Sequence, residues 1–192
     1  MFTIKHCDEV GKLKGLKKVN ILITGPPRSG KSTLIEEIIK ELIKKGFTVR
    51  GISTPEARER GRRIGFKIID LATGEWKWMA HINISSPYKV SKYGVDLDAI
   101  ESIGVKAILS AIESADVIII DEIGKMELFS EKFKKAVKRA LDSSKPVIGT
   151  IGLKLHHPFA DEIKRRKDVT IVFLTREKWE EVYNQIINMI FQ

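Results

Sequence analysis

Residues 25–32 read Gly25-Pro26-Pro27-Arg28-Ser29-Gly30-Lys31-Ser32, which fits the phosphate-binding pattern G-x-x-x-x-G-K-[ST] with no mismatch. A largely apolar run, Val19-Asn20-Ile21-Leu22-Ile23, leads into it, and residues 33–43, from Thr33 to Ile43, follow with helical spacing. Strand, glycine-rich turn and helix in that order constrain the fold to a βα unit whose turn cradles a polyphosphate. Backbone N–H groups of the turn and the helix N-terminus point at the anion, where the helix dipole favours negative charge. Lys31 is then placed to neutralise the outer phosphates, and the Ser32 hydroxyl to hold Mg²⁺. The motif implies binding of a nucleoside triphosphate such as ATP or GTP. It does not say what is done with it.

Apolar runs of strand length alternate with helical patterns along the rest of the chain, which predicts α/β architecture with a mostly parallel sheet. The expected parallel strands are 19–24, 47–53, 116–121, 146–151 and 169–174. The expected helices are 31–45, 96–114, 130–142, 156–166 and 177–190. Asp98 followed by Glu101 reads as a capping box for the second of these, and Thr175 as the N-cap of the last. One stretch breaks the alternation. Residues 65–71 and 75–81 both alternate with period two around Ala72-Thr73-Gly74, so they predict an antiparallel hairpin extending the sheet edge. Its Trp76, Trp78 and Met79 are expected to pack against a neighbouring helix. With no repeat and no low-complexity linker, 1–192 reads as one domain, with 1–18 as an N-terminal extension.

Residues 117–122 read Val117-Ile118-Ile119-Ile120-Asp121-Glu122. A wholly apolar strand ending in an acidic pair suits a central strand buried on both faces. Ligands of open α/β sheets bind at the carboxyl ends of the strands, so Asp121 is expected beside the glycine-rich turn as a Mg²⁺ ligand together with Ser32. Glu122, just beyond the metal, is expected to orient and deprotonate a water. Asp121-Glu122-Ile123-Gly124 also fits the D-x-x-G of a GTPase switch, but no N-K-x-D guanine reader follows. Between the second strand and the hairpin, four arginines fall within six positions, 58–63. Arg58 or Arg63 is a candidate to meet the charge that develops on a transferring phosphoryl group, as is Arg28. Lys125 is placed to face the phosphates, and Thr150, at the tip of its strand, to sense the γ-phosphate or the water. Adjacent histidines do not share a helix face, so His156 and His157 read as a loop-to-helix transition and not as a metal pair.

The net charge is +9, from 34 Lys+Arg against 25 Asp+Glu. The basic residues are spread over many segments and are not interleaved with aromatics. That favours a solvated surface around a polyanion pocket over a nucleic-acid interface. The single cysteine, Cys7, excludes an internal disulfide. No apolar run approaches the ~20 residues needed to cross a bilayer. The expectation is a cytoplasmic monomer that engages no membrane.

Together these segments resemble the small nucleoside-triphosphatases of thermophiles, archaea and animals. The likeness runs through Gly25 to Thr33, Arg58 with Gly65-Phe66-Lys67-Ile68-Ile69, Tyr93-Gly94-Val95, residues 117–130 and His157-Pro158. The acidic segment with its Gly124-Lys125-Met126-Glu127-Leu128 tail is the most specific part. The resemblance implies a three-layer α/β/α sandwich with parallel strand order 5-1-4-3-2 and an added hairpin. It also implies Mg²⁺-dependent hydrolysis of nucleoside triphosphates to diphosphate and phosphate with broad base tolerance. It carries over, as nucleotide-binding segments, Gly25, Pro26, Pro27, Arg28, Ser29, Gly30, Lys31 and Ser32, and Val117, Ile118, Ile119, Ile120, Asp121, Glu122, Ile123 and Gly124. Two departures stand out. Arg28 stands where many relatives have glycine. The family usually has an Asn-Arg pair beyond the last strand, where this chain reads Thr175-Arg176-Glu177-Lys178-Trp179, which leaves Trp179 to stack on a base instead. The competing expectations are a P-loop kinase of a small molecule or nucleic-acid end, and a nucleic-acid-stimulated ATPase.

Overall fold

A computed structural model describes residues 15–191. The N-terminal extension up to residue 14, with Cys7, lies outside the described residues. The first strand, β1 (Asn20–Thr24), is wholly buried and runs into the glycine-rich turn and helix α1 (Lys31–Lys44). Four further strands lie parallel in one sheet with it: β2 (Val49–Ser53), β8 (Val117–Ile123), β9 (Val147–Ile151) and β10 (Val169–Phe173). Their order is β10-β1-β9-β8-β2, which is 5-1-4-3-2 counted among the parallel strands, as the resemblance implied.

The antiparallel part is larger than one hairpin. β4 (Arg62–Asp70) pairs with β2 and with β5 (Trp76–His81), and β5 continues through β7 (Tyr93–Val95) to β6 (Lys89–Val90). The arginine-rich stretch between the second strand and the expected hairpin forms a second hairpin. Its strand β3 (Glu56–Glu59) pairs with the start of β4, and Arg60 and Gly61 turn between them with positive φ. Charged residues suit this strand because it is an exposed edge, where unpaired backbone would otherwise invite another chain.

Helices cover both faces. On one, α1 contributes Leu34, Ile35, Ile38 and Leu42, spaced so that they share a stripe. They pack with Val182, Ile186 and Ile190 of α6 (Trp179–Phe191). Each buried Leu or Ile there is worth about 1.5–3 kcal/mol, so this layer fixes α1, and with it the turn, against the sheet. On the other face lie α3 (Lys106–Ser114), α4 (Glu131–Asp142) and α5 (Pro158–Lys164). The helix expected over 96–114 begins as α2 (Leu97–Ala99), passes through a π-helical segment, Ile100–Val105, and resumes as α3. A Cβ on Gly104 would stand 2.5 Å from the Ile68 Cδ1 of β4, so glycine lets this segment approach the sheet.

Three local expectations are corrected. The cap of the second helix is Asp96, whose side chain accepts from the Ala99 N–H. Asp98 instead takes the Lys77 ammonium, and Glu101 is held by Ser130 and Lys132. The last helix starts only at Trp179, after a turn over 176–178, so Thr175 is too far upstream to cap it. Of the hairpin aromatics and Met79, only Met79 enters the core. Trp76 is exposed with the Lys67 ammonium over its ring, and Trp78 packs on Trp76 and His81. Alternation along β5 sends Met79 to the face opposite Trp76 and Trp78.

Candidate active site

The glycine-rich turn leaves β1 at Thr24 and enters α1 at Lys31. Gly25 and Gly30 have positive φ, and so does Arg28, at 64°. Gly30 is the left-handed residue immediately before the helix. Arg28 occupies the same region with a full side chain, at a cost of about 1–2 kcal/mol. The Arg28 carbonyl accepts from Arg176 Nε at 2.9 Å, and the Trp179 indole N–H reaches the Gly30 carbonyl at 3.4 Å. The segment beyond the last strand therefore braces the turn from outside. Lys31 folds over the turn, donating to the Gly25 and Pro26 carbonyls at 3.0 and 3.1 Å.

The acidic strand β8 is separated from β1 by β9 alone. Val117, Ile118, Ile119, Ile120 and Ile123 are fully buried. These five supply the scaffold. Asp121 stands at the strand's carboxyl end, buried, accepting a 2.6 Å hydrogen bond from Thr150 Oγ1. Ser32 also lies against it. Burial drives the Asp121 pKa upward, and the Thr150 hydroxyl, Lys31 and Ser32 pull it back. Thr150, expected to sense phosphate or water, donates its hydroxyl to this carboxylate.

Glu122 is the half-buried acid that opens into the cleft. Its pKa is raised by burial and then by the Asp121 charge, with Lys31 opposing. The cleft measures about 1190 Å³ and is walled by the turn, Glu122 and the arginine hairpin. Arg58 and Arg63 both face it. Glu56 holds both, at 3.0 and 2.9 Å. Arg63 is fixed further: its Nε donates to the Tyr93 hydroxyl at 3.1 Å and its guanidinium lies over Phe66. Arg58 is otherwise tied only to the Gly61 carbonyl. Lys125 does not line this cleft. It is exposed in an adjoining pocket with Lys89, Phe129 and His156. His157 caps α5 through Nδ1, as a loop-to-helix transition requires.

One residue carries chemistry that sequence reasoning passed over. Glu127 is 3 % exposed. Burial, with Glu122 next, raises its pKa to about 8. A Cβ on Gly124 would stand 2.8 Å from Glu127 Oε2 and 3.6 Å from Glu122 Oε1, so the two carboxyl groups flank one glycine. The available signal was an acid set between apolar neighbours in Met126-Glu127-Leu128-Phe129.

The residues present fit a Mg²⁺ ion carried in with phosphate. No group of three or more His, Cys, Asp or Glu side chains could cage a metal among the described residues. Mg²⁺ needs no such cage, taking one or two protein oxygens and completing its shell with water and phosphate. Ser32 and Asp121, which lie against each other, would supply those oxygens. Two buried hydroxyls, Thr24 Oγ1 and Ser29 Oγ, have no hydrogen-bond partner among the described residues. Buried polar groups are almost always paired, so the turn is shaped around a polar ligand.

Residues 20–187 match the family described as NTPase. The nucleoside-triphosphatase THEP1 of Thermotoga sp. (strain RQ2) is 45% identical over 172 residues, 90% of this chain and 95% of that protein. The THEP1 of Methanocaldococcus jannaschii is 39% identical, covering 88% and 98% respectively. Among solved structures, THEP1 from Aquifex aeolicus superposes with a TM-score of 0.81 at 33% identity, over 91% of this chain and 100% of that one. A human cancer-related nucleoside triphosphatase gives 0.75 at 35% identity, over 88% and 96%.

Proposed function

Because this chain belongs to the NTPase family, we propose that it hydrolyses nucleoside 5′-triphosphates to diphosphate and phosphate with Glu122 as general base. One observation carries the reading. Of the two acids lining the cleft, Glu56 is tied up by Arg58 and Arg63, whereas Glu122 is free of such partners and burial raises its affinity for a proton. A carboxylate so tuned takes a proton from water more readily at neutral pH than an ordinary glutamate.

The other roles follow from the geometry. The N–H groups of residues 25–33 and the Lys31 ammonium bind the outer phosphates. Lys31 exchanges its two carbonyl partners for phosphate oxygens. Ser32 and Asp121 hold Mg²⁺, with Thr150 fixing the Asp121 carboxylate. The ion, when bound, neutralises charge on the transferring phosphoryl group. Arg58 answers the remaining charge, because Arg63 is committed to Tyr93, Phe66 and Glu56 and serves to hold the hairpin. The base and sugar lie in the hollow formed by Arg28, Ser29, Gly30, Thr33, Arg176 and Trp179. The Trp179 indole in that lining can stack on any base, which supports broad base tolerance.

Phosphate release with ATP, GTP, CTP and UTP, in the presence and absence of Mg²⁺ and of small hydroxyl acceptors, tests the reading. Hydrolysis of all four within about tenfold of one another is expected, with Glu122→Gln lowering turnover at least about 100-fold while nucleotide still binds. Parental turnover in that variant, or transfer to an acceptor exceeding phosphate release, would overturn it.

A further inference from the structure

The basic residues look dispersed along the chain, but the fold gathers several of them around the cleft. Its walls carry Arg28, Lys31, Arg58, Arg62, Arg63 and Lys92 against only Glu56 and Glu122. A magnesium triphosphate brings a net charge of about −2, so the walls hold more positive charge than that ligand neutralises. Val90 and Ser91 line both this cleft and the adjoining pocket. There Lys89, Lys125, His156 and His157 are joined by no carboxylate at all. Among the described residues, Arg62, Lys89, Lys92 and Lys125 form no ion pair. Unpaired cations are common on this surface; what sets this rim apart is that they line one continuous cleft and pocket with so few carboxylates.

The same rim exposes aromatic surface. Tyr88 is 40% exposed and Phe129 36% exposed, and their rings lie 5.4 Å apart, tilted by 52°. Phe129 belongs to the pocket itself, and Tyr88 adjoins Lys89 in the chain. Free lysines beside exposed rings are the two elements of single-strand recognition: cations track the phosphates, and rings stack on unpaired bases. A duplex keeps its bases stacked internally and would leave the rings unused. An acidic peptide would use the lysines alone.

We propose that the rim formed by Tyr88, Lys89, Lys125 and Phe129 is a docking track for single-stranded nucleic acid, opening into the catalytic cleft. The track lies beyond the residues assigned to hydrolysis, so its occupancy is compatible with a bound triphosphate.

Fluorescence anisotropy of a labelled mixed-sequence RNA of about 12 nucleotides, with the intact chain, tests this. Binding is expected to weaken about 50-fold between about 50 and 200 mM salt, the slope for roughly four phosphate contacts on a single strand. Lys89→Glu is expected to weaken it about tenfold, and Tyr88→Ala at least about fivefold. Both variants should release phosphate from ATP at the parental rate. Several results would overturn the proposal: no anisotropy change at low salt; equal binding of a duplex of the same length or of poly-glutamate; parental affinity in either variant; or complete displacement of RNA by saturating magnesium-ATP, which would put the RNA in the triphosphate site.

Discussion

Glu127→Gln separates what burial does to a carboxyl group from what its shape does. The parent group is buried, faces the carboxylates Glu122 and Asp121, and has a pKa of about 8 against the ordinary 4.5. Its folded pKa is thus raised, so the folded state holds its proton more tightly than the unfolded state does. Below about pH 4.5 both states are protonated and the group costs nothing. Between about pH 4.5 and 8 the unfolded carboxyl is ionised while the folded one is not, so unfolding releases a proton. Stability then falls by about 1.4 kcal/mol per pH unit. Above about pH 8 both are ionised and the accumulated loss is about 5 kcal/mol. Glutamine matches the protonated side chain in shape and keeps an acceptor for the backbone N–H groups, but does not titrate. The two proteins should be nearly equally stable near pH 5 and diverge steadily, with the variant ahead by about 3 kcal/mol at pH 7 and about 5 near pH 9. Guanidinium unfolding followed by tryptophan fluorescence at the three pH values measures this directly. A difference that does not change with pH, or a parent that gains on the variant as pH rises, would refute the assignment of a neutral buried acid.

Activity should rise with pH through the folded pKa of Glu122. Burial raises that pKa, so the acid limb of kcat/KM is expected above the usual glutamate range, and a limb at the position of an exposed carboxyl would count against the base. Arg58→Ala should lower kcat about 100-fold with little change in KM, whereas Arg63→Ala should lower the melting temperature through loss of Tyr93 and Glu56; the reverse pattern would exchange their roles. Arg28→Gly should stabilise the protein by about 1 kcal/mol, since the residue sits at φ 64°, and a loss of stability on denaturation would show that the side chain repays its strain. Trp179→Ala should raise KM for ATP, GTP, CTP and UTP by similar factors, and a change confined to one base would show edge reading.

The parallel sheet was legible because four of its five strands, β1, β8, β9 and β10, announce themselves locally, as a largely apolar run followed by a helical pattern. The turn and the acidic pair were legible for the same reason: their chemistry is contiguous in sequence. What escaped was non-local or depended on packing. Nothing in Glu56-Ala57-Arg58-Glu59 marks a strand, because its partner is the start of β4 and its exposed edge selects charge over β propensity. Asp96 outcompeted Asp98 as the helix cap because Lys77, from β5, captures the latter. Thr150 was placed on the right strand, but its partner, Asp121, lies 29 residues away in sequence.

Glu127 is the sharpest instance of what a linear reading leaves out. In sequence it is one acid in a specific segment, without a spacing that assigns it work. In the fold, Gly124 is bare on the side where Glu122 and Glu127 approach it, and a methyl group there would strike a carboxyl oxygen. The same short segment thus supplies a half-buried acid open to the cleft and a wholly buried one behind it. Two neighbouring carboxyl groups do not both ionise easily in a desolvated site. Holding Glu127 neutral relieves Glu122 of a second adjacent negative charge. Glu122 keeps a pKa raised chiefly by burial and Asp121, and remains ionisable for water activation. By this reasoning the glycine, the buried acid and the base form one unit. Gly124→Ala should therefore depress kcat at unchanged nucleotide affinity, and an alanine variant with parental kcat would show that the spacing between the two carboxyl groups is immaterial.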